Sequence, residues 1–243
     1  MSADANSILG HLRTVATERQ RRAASPDLEP RVRLVKAYQQ QRFACSYADL
    51  LATRRYGAAA RFFLEELYGP SDFAERDAQF ARVVPALVRL FSQEIVATVN
   101  TLAQLHALSE TLDSTMATHL TSCAVDRRSY ILAWQAARHP ESREQQIALT
   151  LAVGESLDRL TRNPLVRHSL RMMRGPGRAA GLGELQRFLE TGFDTFKAMR
   201  GAQEFLATVG SRERALAHCL FSANADDAFE ERHLRDTALG QLP

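Results

Sequence analysis

The sequence predicts an all-α fold, a compact bundle of about eight or nine helices in one domain. Three observations carry that prediction. Apolar residues recur at gaps of three and four along most of the chain, the period of a helix face. Ala and Leu are abundant, whereas the strand formers Val and Ile are sparse. Ser-Pro, Gly-Pro, His-Pro and Asn-Pro pairs cut the chain at intervals that suit helices. With 243 residues, 45% of them apolar, the chain can bury a core without disulfides or metal. No repeat of fixed period and no low-complexity run points to a solenoid.

Each element follows from this punctuation. Asn6 and Ser7 can cap a first helix that runs to about Arg22, where Ser25-Pro26 stops it. Pro30 suits the first turn of a second helix reaching about Thr53. Gly57 precedes a short helix ending near Tyr68, with Gly69-Pro70 as its stop. Asp72 and Glu75 match a capping box for a helix to about Val84, which Pro85 kinks or restarts. The longest helix spans about Gln93–Leu120. Its Ile95, Val99, Leu102, Leu105, Leu108, Leu112, Met116 and Leu120 form an apolar stripe. Asp126 opens the next helix, and His139-Pro140 ends it. The helix from about Glu141 to Arg162 is apolar on two sides, so it is expected at the centre. Asn163-Pro164 restarts the chain through Met173. Gly175–Gly183 reads as a loop and as the best place for a boundary, though no long linker divides the chain. Two helices, about Leu182–Met199 and Ala202–Phe221, complete the bundle, and Gly192 can admit a close neighbour. One domain, 1–243, is expected, with an ordered core of about 30–222. The N-terminal helix and the tail after Asn224 are expected to be peripheral.

Bulk charge excludes several functions. Lys plus Arg is 31 and Asp plus Glu is 28, a net charge of +3. Acids and bases alternate along most segments, and the notable basic excess is Arg19, Arg21 and Arg22. This argues against nucleic acid, which calls for basic residues gathered on one face. The uncharged stretch Ile95–Ser109 is too short and too polar to span a bilayer, so no membrane is expected. Cys45, Cys123 and Cys219 form no C-x-x-C pair and read as free thiols, which places the chain in the cytoplasm.

Helical angle, at ~100° per residue, identifies charges that face the wrong way. Glu66 falls between the directions of Phe62 and Phe63. Asp77 lies on the face made by Phe73, Phe80 and Val84. Arg212 and Glu213 lie on the face made by Phe205, Val209, Leu216 and Leu220. A buried carboxylate without a partner is costly. These four residues are therefore expected either in ion pairs that fix helix docking, with Arg212 able to bridge two acids, or on the polar floor of a pocket.

The run Phe62-Phe63-Leu64-Glu65-Glu66, continued to Pro70 and followed by Asp72-Phe73 and Arg76-Asp77, resembles the signature of an uncharacterised bacterial family, the FFLEE-motif proteins. Leu105–Asp113 and Leu185–Phe193 share in the resemblance, which covers about Val32 to Phe221. It implies a soluble helical protein of proteobacterial type and supplies no activity, ligand or catalytic residue.

Other chemistries find little support. A di-iron bundle needs two Glu-x-x-His pairs, and the chain offers only Glu230 and His233. His106, Glu110 and Asp113 share one flank of the long helix, which could contribute to a metal site but reads more simply as a polar edge pairing with neighbouring helices. His106 and His168 are the available haem ligands, and each reads more simply as a packing residue. The glycines between Gly175 and Gly183 lack both G-K-[ST] and a preceding strand. No G-x-S-x-G or catalytic Cys context occurs. No metal and no cofactor are expected. The leading expectation is a non-enzymatic protein acting through an unknown protein partner or as a homo-oligomer. The alternative is a small-molecule binding bundle around Glu66, Asp77, Arg212 and Glu213.

Overall fold

The computed structural model describes residues 3–67, 73–120, 124–223 and 237–243. Its α-helices are Ala3–Ala23 (α1), Leu28–Ser46 (α2), Ala48–Ala52 (α3), Gly57–Phe62 (α4), Ala74–Leu90 (α5), Gln93–Thr118 (α6), Arg127–Ala137 (α7), Pro140–Thr161 (α8), Pro164–Met172 (α9), Arg174–Ala179 (α10), Gly183–Ala198 (α11) and Gln203–Ser222 (α12). A π-helical turn, Phe63–Leu67, continues α4, and a 3-10 turn, Ala238–Gln241, precedes the C-terminus. Among the described residues nine helices have nine or more residues and no strand occurs, so the all-α expectation holds. Tyr68, Gly69-Pro70, Asp72, Cys123, Glu230 and His233 lie outside the described residues.

Local chemistry accounts for several boundaries. The Asp126 carboxylate accepts from the Ser129 backbone N–H at 2.8 Å, and the Ser129 hydroxyl accepts from the Asp126 N–H at 2.9 Å. This reciprocal box opens α7. Asn163 Oδ1 accepts from the Leu165 N–H at 3.0 Å, and Pro164 follows in the first turn, where its missing N–H costs nothing. Two expectations are corrected. The helix from Ala74 does not stop near Val84 and restart at Pro85 but runs on to Leu90, giving up the one bond that Pro85 cannot donate. Most of the expected Gly175–Gly183 loop is helix α10, and the turn after it is made at Gly181 (φ +70°).

The centre of the bundle is α6, not the Glu141–Arg162 helix. No residue of α6 from Thr98 to Ala117 is exposed, whereas α8 keeps Glu144, Gln145, Ala148 and Glu155 in solvent. The most buried line of α6 also differs from the leucine stripe. Leu102, Leu105 and Leu108 are half-buried, while Ala103, Ala107, Glu110, Ser114 and Ala117 are buried. Small side chains at gaps of three and four let α1 lie close along this line. Helix α1 is accordingly not peripheral: Ala5, Ile8 and Leu12 enter a core shared with Val84 of α5 and Val96 of α6, and Val15 is buried as well. The chain end is not peripheral either. Leu239 and Leu242 are buried against α2, α7 and α12, and Arg127 Nη2 donates to the Leu242 carbonyl at 2.8 Å.

An aromatic core joins α2, α4, α11 and α12. Phe62 stacks on Phe188 with ring centroids 5.4 Å apart, and Phe63 meets Phe196 and Phe205 at 6.0 and 5.8 Å. Gly192 admits this packing, because a Cβ there would lie 3.0 Å from the Phe62 ring.

Candidate functional site

A seam of charged and polar side chains runs inside the bundle along α6. Its centre is Glu110, whose side chain is 5% exposed. Arg22 of α1 donates to Glu110 Oε2 at 2.5 Å, to the Glu110 carbonyl at 2.6 Å and to Ser114 Oγ at 2.7 Å. Lys36 of α2 donates to Glu110 Oε1 at 2.5 Å. Burial pushes the Glu110 carboxyl upward, but Lys36 and Arg22 outweigh it and hold it at about 2. One turn on, Gln39 donates to Asp113 at 3.1 Å. Burial raises the Asp113 carboxyl above the usual range and outweighs the pull of Lys36 and Arg143. Toward the other end, Asp77 accepts from Arg19 at 2.6 Å and lies 2.8 Å from His106 Nε2. Burial opposes its charge, and His106 and Arg19 prevail, so its carboxyl is lowered.

The seam extends to α12. Arg42 pairs with Glu213, and the buried Tyr47 hydroxyl donates to the same carboxylate at 2.7 Å. Lys36, Gln39 and Arg42 thus stand three residues apart on α2 and meet Glu110, Asp113 and Glu213 in turn.

Arg212 and Glu66 stand apart from the seam. Arg212 does not bridge two acids. Its guanidinium grips Asp49 with two bonds of 2.7 Å and donates to the Ser46 carbonyl, at a position 30% exposed. Helix α12 is continuous through Gly210, so the phase is right, but the long Arg side chain carries its head to the rim. Glu66 sits within the π-helical turn, and its side chain is 13% exposed beside an exposed Glu65, the inward direction that helical angle predicts. It lies at the edge of the aromatic core and accepts from Arg187 at 2.6 Å and from Arg76 at 3.5 Å. Arg76 is itself held between the Phe73 and Phe188 rings, 4.0 and 4.3 Å from their centroids.

The four inward charges therefore form no single cluster. Asp77 and Glu213 belong to the seam, Glu66 to a separate inward cluster with Arg76 and Arg187, and Arg212 to a cluster at the rim. His106, Glu110 and Asp113 do share a flank, but each turns to its own partner. Among the described residues no three His, Cys, Asp or Glu side chains gather as a metal site. The residues that sequence reasoning misses are the cations and amides opposite: Arg19, Arg22, Lys36, Gln39 and Arg42. Arg19 and Arg22 are two of the three arginines that stand out as a local basic excess.

Beside the seam is a cavity of about 40 Å³, lined among others by Gln39, Arg42, Tyr130, Trp134, Arg143 and Glu213. The Arg143 guanidinium lies 4.0 Å from the Trp134 ring centroid, and the buried Trp134 indole N–H has no hydrogen-bond acceptor among the described residues. At ~15 Å³ per water, the space holds a few waters or a very small ligand.

A second feature is on the surface. Helix α9 buries no side chain, although it separates apolar from polar faces more sharply than the other described helices of nine or more residues. Val166 and Leu170 are half-buried, and Arg167 and Arg174 reach back to Asp194 and Glu190 of α11 at 3.0 and 2.6 Å. The outward face carries Leu165, His168, Arg171 and Met172, with Leu165 70% and Met172 66% exposed. The inner side of this arm lies on α11, where Gln186 donates to the Leu170 carbonyl at 2.6 Å and Gly177 is buried, whereas at Gly175, Gly181 and Gly183 an added Cβ would meet nothing within 4 Å.

No curated protein and no solved structure matches the chain. A family profile does, over residues 18–227, from within α1 to beyond α12 and across every residue of the seam. The chain belongs to the family described as a domain of unknown function, DUF8198.

Proposed function

We propose that this protein is a non-enzymatic binding protein that works through a macromolecular partner docked on the α9–α10 arm. The observation that carries this reading is the pair Leu165 and Met172, two large apolar side chains exposed on a helix that gives nothing to the core. The inward acids support it from the other side, because Asp77, Glu110 and Glu213 of the seam and Glu66 apart from it are each engaged by cations of neighbouring elements. The same reading takes the chain as a cytoplasmic bacterial protein of the FFLEE type. Cys45 and Cys219 are free thiols, and no helix of the described residues is long and apolar enough to cross a membrane. The test is photo-crosslinking in the producing cell, with a benzophenone side chain at Leu165 or Met172 and a control at the exposed Arg33 of α2. Adducts from the arm alone are expected. An arm that yields none, or no more than Arg33, sinks the reading.

The cavity beside Trp134 favours a second reading, a small-molecule binding bundle. Under it, the native mass exceeds the denatured mass by a reproducible amount. Equal masses remove it.

A further inference from the structure

We infer that the arm docks on the surface of a bilayer bearing anionic headgroups, an inference that rests on the arm being the working surface. Six arginines and no acid fall between Arg159 and Gly183, while the whole chain has a net charge of only +3, so the remainder of the chain is net acidic. Arg159, Arg162, Arg167 and Arg174 pair with Glu94, Asp158, Asp194 and Glu190. Arg171 and Arg178 are exposed and make no ion pair among the described residues. The arm therefore offers free guanidinium groups in the same short segment as Leu165, Met172 and the 39% exposed Met173.

Charge and shape select among the occupants. Single-stranded nucleic acid would be met by stacking side chains, and the stretch 159–183 contains no Phe, Tyr or Trp; a duplex calls for many phosphate contacts, and four of the six arginines are already paired with acids. A second copy docked arm to arm by a two-fold axis would set arginines against arginines. An anionic bilayer satisfies both halves of the face at once. Leu165, Met172 and Met173 sink toward the acyl boundary, and the guanidinium groups stay among the phosphates. A soft, flat phase also needs no pocket to receive the open outer side of α9, on which Leu165, His168 and Met172 are exposed. The expectation of no membrane rests on the lack of a spanning segment, and a helix lying in the interface needs none.

The experiment is co-sedimentation of the full chain with vesicles of mixed phosphatidylglycerol and phosphatidylcholine, and with vesicles of phosphatidylcholine alone, at low and high salt. Binding to the anionic vesicles alone is expected, and it weakens as salt rises. Arg171→Gln with Arg178→Gln lowers the partition roughly 25-fold, at ~5-fold for each arginine near the surface. Leu165→Glu with Met172→Glu abolishes it, whereas Leu132→Glu, 44% exposed on α7, leaves it unchanged. All these sites are exposed, and matching circular-dichroism melting curves establish that the variants fold. Failure to sediment, equal binding to neutral vesicles, or arm variants that bind as the native chain does each overturn the inference. A protein adduct from Leu165 together with failed sedimentation removes the bilayer and leaves the arm as the working surface. No adduct of any kind removes both.

Discussion

Replacing Glu110 by Gln tests the centre of the seam. The substitution keeps the shape and one acceptor oxygen but removes the charge that Arg22 and Lys36 share at 2.5 Å each. The Glu110 carboxyl is held at about 2 against an ordinary 4.5. At ~1.36 kcal/mol per pH unit, that difference corresponds to about 3 kcal/mol of stability. Breaking a buried ion pair from one side gives the same scale, about 3–5 kcal/mol, because Arg22 stays buried without its counter-charge. The sign follows from linkage. The folded-state value lies below the unfolded one, so the contribution is complete above pH 4.5 and is lost as pH falls toward about 2. Urea unfolding of both proteins, followed by circular dichroism, should therefore give a gap of about 3 kcal/mol near pH 7. In a domain of this length the gap lowers Tm by roughly 6–12 °C. Because every other carboxylate titrates in both proteins, the difference between them isolates Glu110. The gap must narrow between pH 4.5 and about 2. Equal stability near neutral pH, or a gap that does not change across that window, refutes the reasoning.

Asp113 has the opposite sign. Its carboxyl is raised by burial, so its contribution is complete below the ordinary 3.8 and is lost as pH rises through the folded-state value. Asp113→Asn should match or exceed the native urea midpoint at neutral pH and lose that advantage below pH 3.8, and a large loss at neutral pH would contradict it. Gly154→Ala on α8 would set a Cβ 2.4 Å from Leu206 Cδ2 of α12, so it should cost about 1–3 kcal/mol in the same assay. An unchanged midpoint would mean that Leu206 turns aside freely.

The parts legible in the sequence are those that depend on one helix alone. The helix spans, the Asp126 and Asn163 caps and the need for Gly192 follow from local spacing and backbone chemistry. The direction of Asp77 and Glu213 also followed from angle, because both sit on regular helix. Glu66 faces inward as angle predicts, 13% exposed beside an exposed Glu65, even though the turn from Phe63 to Leu67 is π-helical and the carbonyls of Leu64 and Glu66 are taken by the side chains of Gln40 and Arg76. Which helix lies at the centre was not legible. Angle counts the apolar width of a helix, and α6 is covered on a face built from Ala and Ser rather than Leu. The arm escaped for a related reason: a bulk charge near zero conceals a stretch with six arginines and no acid when the rest of the chain compensates.

The seam also explains how two long helices of weak apolar contrast can dock in one register. Lys36 and Gln39 of α2 meet Glu110 and Asp113 of α6, and both pairs are spaced by three residues in the same chain direction. Apolar contacts tolerate sliding, because one methylene replaces another at little cost. Charged contacts do not. A slide of one turn, ~5.4 Å, would bring Gln39 or Val32 to Glu110 in place of Lys36. The same slide would draw Arg42 away from Glu213, while Arg22 stays with Glu110 from the side of α1. Each of three helices would then lose a buried pair together, which makes the wrong register costlier than any single pair suggests. On this argument the polar core adds less to the depth of the native state than to the gap separating it from slipped neighbours, and Glu110, shared by α1, α2 and α6, is where that gap is set.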